Sequence, residues 1–233
     1  MKKNLLILMP VYNEEDMIEK VIDDWLKLEL EIPFKILLVN DGSKDSSVNI
    51  INKKIALNKN KLLLIDQANA RHGSAILNGY RYAIQNEYEY IFQTDSDYQF
   101  RSDDFNKLWK EKIDNYDLIL GVRKIRNDSL LRVFLSKFIL RIILFLLSGK
   151  ILIDANVPYR LINKNFLKKF LSKIGNKSFL APNILMSINA KKIVYTNVQH
   201  YKRSTGELNW SISKLLNFGS KLIFEILIFV FKK

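Results

Sequence analysis

The segment Gln93-Thr94-Asp95-Ser96-Asp97-Tyr98-Gln99 follows directly on a short apolar run, and its two aspartates stand two residues apart. Carboxylates so placed at a strand end can grip a hard divalent cation and leave positions for diphosphate oxygens. Acidic turns of this kind also occur as solvated loops, so position decides what the triplet means. Two further polar loops follow apolar runs in the same way: Pro10-Val11-Tyr12-Asn13-Glu14-Glu15 and Asn40-Asp41-Gly42-Ser43. A carboxylate beside a tight glycine turn accepts hydrogen bonds from a ribose or base, and Tyr12 offers a face for stacking. The same residues also suit an N-cap and a turn. Neither G-x-x-x-x-G-K-[ST] nor G-x-G-x-x-G is present, which removes support from P-loop kinases and ordinary dinucleotide oxidoreductases.

The elements that must hold these loops are legible from periodicity. Apolar runs at 5–9, 34–39, 62–65, 90–93 and 118–121 are separated by about 26 to 29 residues, the spacing of strand–helix–strand units. That spacing predicts a mainly parallel sheet, whose ligands sit beyond the carboxyl ends of the strands. Met17, Ile18, Val21, Ile22, Trp25 and Leu26 recur at helical intervals, and Ser43 with Asp45 can cap a segment running to about residue 57. Further helices are expected at 74–86 and 102–113. Beyond them lie an apolar helix studded with bases at about 130–147, a basic amphipathic helix at 163–174, a strand at 192–201, and one or two amphipathic helices at 210–231.

Composition bounds the partners. The chain has 233 residues, 48% of them apolar and 12% aromatic, ample for a packed core and incompatible with general disorder. It has no cysteine, which excludes disulfides, thiolate metal sites and a Cys nucleophile. The formal charge of +13 is unevenly spread: residues 1–122 hold 16 basic and 20 acidic side chains, residues 123–233 hold 21 and 4. A uniformly basic nucleic-acid binder would not concentrate its acids in one half, so nucleic acid is not the expected partner. The split favours an acidic site followed by a basic, apolar part facing an anionic membrane surface. The opening apolar run is too short for a secretory signal. The apolar stretches near 130–153 and 222–231 are interrupted by charge, so peripheral attachment is expected rather than a spanning helix.

Taken together, P-V-Y-N-E-E, V-N-D-G-S-x-D-S-S, N-A-R-x-G-S-A, D-S-D-Y-Q, G-V-R and R-x-x-G-E, in that order, resemble glycosyltransferase family 2. The branch they are most similar to is that of polyprenyl-phosphate sugar transferases of the dolichol-phosphate mannose synthase type. The resemblance runs from about residue 5 to residue 210. It implies an α/β, GT-A (Rossmann-like) fold with a mainly parallel sheet flanked by helices and C-terminal amphipathic membrane-interface helices. The glycosyltransferase domain would span 1–209, including the interfacial helix at about 130–147, and residues 210–233 would form the membrane-associated extension. A nucleotide-sugar donor is implied, with Pro10, Tyr12, Glu14 and Asp41 around its base and ribose. Asp95, Asp97 and Gln99 would hold Mg²⁺ or Mn²⁺ against the diphosphate. Arg123, Arg132 and Ser136 match positions that receive a lipid phosphate, and Arg203 matches a residue that closes over the diphosphate. Arg71, before a glycine and a helix start, can meet a donor phosphate.

The acids give an independent argument about the acceptor. Between Asp154 and Glu207 there is no carboxylate. A sugar hydroxyl needs a base to attack an anomeric carbon, whereas a phosphate monoester, with its second pKa near ~6, is already ionised at neutral pH. A polyprenyl phosphate acceptor, used at the cytoplasmic membrane face by an inverting displacement, is the expected reading. A hydroxyl of a lipid-linked or surface glycan is the alternative, with Asp154, His200 or Glu207 as its base. His72 and His200 otherwise read as hydrogen-bonded loop residues. Val157-Pro158 stands where the family has Ser-Gly, and Leu208 where it has Ser, so the acceptor pocket departs more from the pattern than the donor loops do.

Overall fold

The computed structural model describes residues 4–112, 115–123, 140–203 and 212–231. The chain begins with β1 (Leu5–Val11), α1 (Ile18–Leu26), β2 (Phe34–Asp41), α2 (Ser47–Leu57), β3 (Leu62–Gln67), α3 (His72–Gln85) and β4 (Tyr90–Gln93). A 3-10 turn (Ser102–Asp104) leads into α4 (Phe105–Lys110), followed by β5 (Leu118–Arg123), α5 (Leu140–Ser148), β6 (Arg160–Asn163) and α6 (Lys164–Ile174). The last elements are α7 (Pro182–Asn189), β7 (Ile193–Val198) and α8 (Ile212–Phe231).

The strands form one sheet in the order β3-β2-β1-β4-β6-β5-β7. All neighbours pair in parallel except β6, which runs antiparallel to both β4 and β5. β1 is buried at every position, as a parallel strand covered on both faces must be. From β1 the chain moves outward through β2 to β3, and α3 then carries it back to lay β4 on β1's other side. The carboxyl ends of β1 and β4 therefore flank the point where the winding reverses, which is where an open α/β sheet leaves a crevice for a ligand.

The helices are set by close contacts. A Cβ at Gly79 of α3 would lie 2.1 Å from Leu8 Cδ1, so glycine lets α3 rest directly on β1. α1 buries Ile18, Val21, Ile22 and Trp25, and the Trp25 ring packs against Phe92 with centroids 5.4 Å apart and against Phe105 at 6.0 Å. Phe92 also meets Tyr159 edge-on at 4.7 Å, so an aromatic layer lies under β4 just before the acidic loop. Asn163 Oδ1 caps α6 by accepting from the N–H groups of Asn165 and Phe166.

Several expectations are revised. β6 was hidden in the sequence, and so was α7. The predicted helix at 102–113 is a 3-10 turn and the short α4, and the strand at 192–201 is shortened to Ile193–Val198. The C-terminal segment is one helix, α8, and buries Leu222, Ile226 and Phe229 against the body, with Phe229 facing Phe170. The 209/210 boundary and most of the expected interfacial helix at 130–147 fall outside the described residues. No helix among the described residues is long and apolar enough to cross a membrane.

Candidate active site

The loops after β1 and β2 are stitched to each other. Asn13 N–H donates to Ser43 Oγ at 3.0 Å, and Lys44 N–H returns a bond to Asn13 Oδ1 at 2.9 Å. Glu14 N–H donates to Ser47 Oγ at 2.9 Å, while Glu15 N–H meets Asp45 Oδ2 at 3.0 Å and Ser46 N–H meets Glu15 Oε2 at 2.8 Å. Ser43 thus does not cap α2 as the sequence suggested; its hydroxyl is spent on Asn13 and Asn40. Asp41, at the end of β2, is almost wholly buried, and its Oδ1 accepts from Gln67 Nε2 and Ala70 N–H, each at 2.8 Å. With Oδ1 taken by two donors, Oδ2 is the oxygen left for a ligand. Tyr12 stays 46% exposed beside this loop, its ring open for stacking. Pro10 is joined to the acidic loop, since Ser96 Oγ donates to its carbonyl at 2.8 Å.

Three carboxylates meet at the crevice. Burial, with the charges of Asp97 and Asp95 adding to it, pushes the Glu14 carboxyl up to about 7 even though Arg203 draws it down. Burial and the charge of Asp95 push Asp97 up to about 6, although Asp97 Oδ1 accepts from Gln99 N–H at 3.1 Å. Asp95 Oδ1 is buried and has no hydrogen-bond partner among the described residues; His72 Nε2 lies 3.7 Å away. Orphaned carboxylate oxygen and like-charge crowding are what a dication relieves. No group of three or more His, Asp or Glu side chains among the described residues forms a closed metal cage. The pair Asp95 and Asp97 therefore fits an Mg²⁺ or Mn²⁺ ion that takes its remaining ligands from a diphosphate and water.

Among the other candidates, Arg203 bears on this centre through its charge. Arg203 reaches back to Glu14, Nη2 to Oε1 at 2.7 Å, and its buried Nε has no hydrogen-bond partner among the described residues. Gln99 donates Nε2 to the Tyr201 carbonyl at 3.2 Å, which leaves its amide oxygen available to a ligand. Arg71 precedes α3 with φ 76°, a conformation that costs a non-glycine residue about 1–3 kcal/mol. Arg123, at the end of β5, is held in a two-pronged ion pair by Asp154, both bonds 2.8 Å. Asp154 is thereby committed to an arginine, which removes it as a free base. His200 is buried and packs edge-on against Phe100. Arg132, Ser136 and Glu207 lie outside the described residues.

Comparison with known proteins bears on this geometry. The model of the family described as Glycosyl transferase family 2 matches residues 6–187. The chain belongs to glycosyl transferase family 2. It is 28% identical over 219 residues to the undecaprenyl-phosphate 4-deoxy-4-formamido-L-arabinose transferase of Pectobacterium carotovorum subsp. carotovorum (strain PC1), covering 92% of this chain and 65% of the relative. The enzyme of the same name from Klebsiella pneumoniae (strain 342) is 26% identical over 225 residues, 95% of this chain and 67% of that one. The chain thus spans about two thirds of the length of these relatives. Among solved structures it is similar to glucosyl-3-phosphoglycerate synthase of Mycobacterium tuberculosis in complex with Mn²⁺, uridine diphosphate and glucosyl-3-phosphoglycerate. That likeness has a TM-score of 0.70 and 13% identity and covers 98% of this chain and 80% of that one. A mannosyltransferase from Pyrobaculum calidifontis, in complex with GDP-mannose and Mn²⁺, gives a TM-score of 0.59 at 14% identity, covering 89% of this chain and 59% of that one. The fold is the GT-A type.

This family-2 domain also carries a buried polar chain that sequence reading missed. Arg160 is fully buried and donates to the carbonyls of Ala155, Val157 and Asn183, and burial lowers its pKa to about 10. Tyr80 Oη donates to Gln93 Oε1 at 2.6 Å and lies 3.2 Å from Asn183 Oδ1. Gln93 stands opposite Arg160 in the β4–β6 register and immediately precedes Thr94-Asp95. The network thus fixes the end of the strand from which the acidic loop departs. Arg160 sits in the Asp154–Arg160 segment already noted, but nothing in its spacing revealed that it would be buried.

Proposed function

We propose that the chain is a metal-dependent, inverting glycosyltransferase that moves a sugar from a nucleotide-sugar to a polyprenyl phosphate at the cytoplasmic face of a membrane. One observation carries this reading: an Asp95 oxygen without a hydrogen-bond partner among the described residues, beside a half-buried Asp97, at the carboxyl end of β4 where the sheet's winding reverses. The undecaprenyl-phosphate sugar transferases among the sequence relatives, and the Mn²⁺ with a nucleotide or nucleotide-sugar in the structural neighbours, support it.

Base and ribose would lie on Pro10 and Tyr12, with Glu14 and Asp41 Oδ2 accepting from the ribose hydroxyls or the base. Asp95 and Asp97, with the amide oxygen of Gln99, would hold Mg²⁺ or Mn²⁺, whose charge would stabilise the departing nucleoside diphosphate. Arg203 would leave Glu14 for the diphosphate, and Arg71 would meet it from the start of α3.

A phosphate oxygen of the acceptor donates its lone pair to the anomeric carbon, and the bond from that carbon to the diphosphate oxygen breaks. The electron pair leaves with the nucleoside diphosphate. No proton needs to move, because the monoester is already a dianion at neutral pH. One displacement inverts the anomeric centre. Arg123, with Arg132 and Ser136, would orient the acceptor phosphate, and Asp154 would hold Arg123 in place. The ion pair of Asp154 weakens the hydroxyl-acceptor alternative by engaging one of its three candidate bases. Membrane contact would come from exposed Ile142, Phe145 and Leu146 on α5 and Phe224 and Phe231 on α8, together with the basic second half.

The test is a panel of nucleotide-sugars scored for nucleoside diphosphate release with polyprenyl phosphate and Mn²⁺ or Mg²⁺. Release that requires both acceptor and cation is expected for at least one donor. Release that persists unchanged under chelation would contradict the assignment.

A further inference from the structure

A groove of about 940 Å³ runs between the start of α3, the 176–180 segment and α8, meeting the donor site at Arg71. Three exposed cations line it, Arg71, Lys177 and Lys221. Its floor is fixed to the catalytic layer, since a Cβ at Gly73 would fall 2.0 Å from the Phe179 carbonyl oxygen. One wall is apolar, formed by Phe179, Phe224 and Ile228, and a second hollow of about 580 Å³, lined by Leu227, Ile228, Phe231 and Lys177, adjoins it. One carboxylate lies in the groove: Glu225, whose two oxygens both accept from Leu180 N–H at 2.9 and 3.1 Å and whose pKa burial raises. From Lys221 to Phe231 the helix advances about 15 Å.

We propose that this groove seats the hydrocarbon chain of an anionic long-chain lipid, the acceptor of the transfer proposed above, on which the inference rests. The ligand chemistry follows from the lining. An apolar wall of Phe179, Phe224, Ile228 and Phe231 bordered by three cations matches an amphiphile with an anionic head, not a sugar or a peptide. The direction follows from the neighbours of Arg71. His72, the next residue, has its Nε2 3.7 Å from Asp95 Oδ1, so a head group passing Arg71 arrives beside the carboxylates. The tail then lies along Phe224 and Ile228 and leaves at Phe231, which is 69% exposed. Glu225, turned onto the Leu180 N–H, keeps its charge from the path of the head.

The experiment uses the full chain and a long-chain polyprenyl monophosphate with a diazirine in its hydrocarbon, photolysed and mapped by peptide mass spectrometry. Label at 177–180 and 224–231 is expected. Label confined to 140–153, or none, would overturn the groove while leaving the proposed transfer intact if the wild-type chain still glycosylates the lipid. Label in the groove without glycosylation of any polyprenyl phosphate would uphold the groove and overturn the transfer. Two exposed positions supply the kinetic arm. Phe224→Glu and Ile228→Glu should raise KM for the long-chain acceptor about tenfold or more, because a charge is placed against hydrocarbon. KM for a short, water-soluble prenyl phosphate and affinity for nucleoside diphosphate should not change. An equal loss with short and long acceptors would refute the assignment.

Discussion

Arg203 and Glu14, 189 residues apart in sequence, form an ion pair with Nη2 and Oε1 separated by 2.7 Å. The contact fastens the segment after β7 to the loop after β1, close enough to Asp97 for the arginine to lower its pKa. The arginine that would clamp a diphosphate is thus stored on a carboxylate of the proposed nucleotide site. The two side chains should therefore not contribute independently. Arg203→Ala should weaken donor use by roughly ten- to a hundredfold, the worth of a charge-assisted hydrogen bond. Glu14→Gln alone should have a smaller effect, and the double variant should fall short of the sum. Steady-state kcat/KM for the four proteins measures the coupling; strict additivity would show that the pair is incidental.

The raised carboxyls set a pH dependence with a definite sign. Glu14 titrates at about 7 and Asp97 at about 6 in the folded chain, above their ordinary values of 4.5 and 3.8. The native state therefore binds more protons than the unfolded one between those limits, and metal-free stability falls as pH rises from about 4 to about 7. Mn²⁺ binds the ionised forms, so the stabilisation it adds should grow over the same interval. Thermal melts with and without Mn²⁺ across pH 5–8 test both signs. A metal effect that shrinks with rising pH would contradict the assignment.

Replacing Asp97 by Asn separates charge from shape. Without metal at pH 8 the variant should melt no lower than wild type, because a desolvated like charge has been removed. Its melting temperature should no longer respond to Mn²⁺, and turnover should fall by at least about a hundredfold. Calorimetric titration with Mn²⁺ and nucleoside diphosphate provides the comparison.

Arg71 offers a trade between stability and function. Its positive φ is strained for any residue with a Cβ, and Arg71→Gly should raise stability by about 1 kcal/mol. The same change removes a cation at the meeting point of donor loop and groove, so donor KM should rise. Chemical denaturation paired with donor kinetics checks both halves.

Much of this was legible in the amino-acid pattern, for identifiable reasons. The strands of the first half are buried on both faces and therefore read as apolar runs, and the crossover helices give them a regular spacing. Their ends were misjudged where polar residues continue the ladder: β2 extends through Asn40 and Asp41, and β3 through Asp66 and Gln67. β6 escaped notice because its four residues include a buried arginine and no crossover helix announces an antiparallel insertion. The acidic loop, Asp41 and Tyr12 were visible as residue types at strand ends. The contacts that hold them, such as Asn13 to Ser43 and Asp45 to Glu15, join residues about thirty positions apart and follow no local period. The ion pairs of Arg123 and Arg203 were hidden for the same reason: a guanidinium carries no mark of the carboxylate it will meet.

The most direct test of the proposed reaction is the chemistry of the bond it makes. Purified protein would be incubated with Mn²⁺, a radiolabelled nucleotide-sugar accepted in the panel, and polyprenyl phosphate, and the lipid product treated with mild acid. A sugar joined through phosphate is released quantitatively, and that result is predicted. A lipid product whose sugar survives the treatment would mean that a hydroxyl, not a phosphate, had attacked.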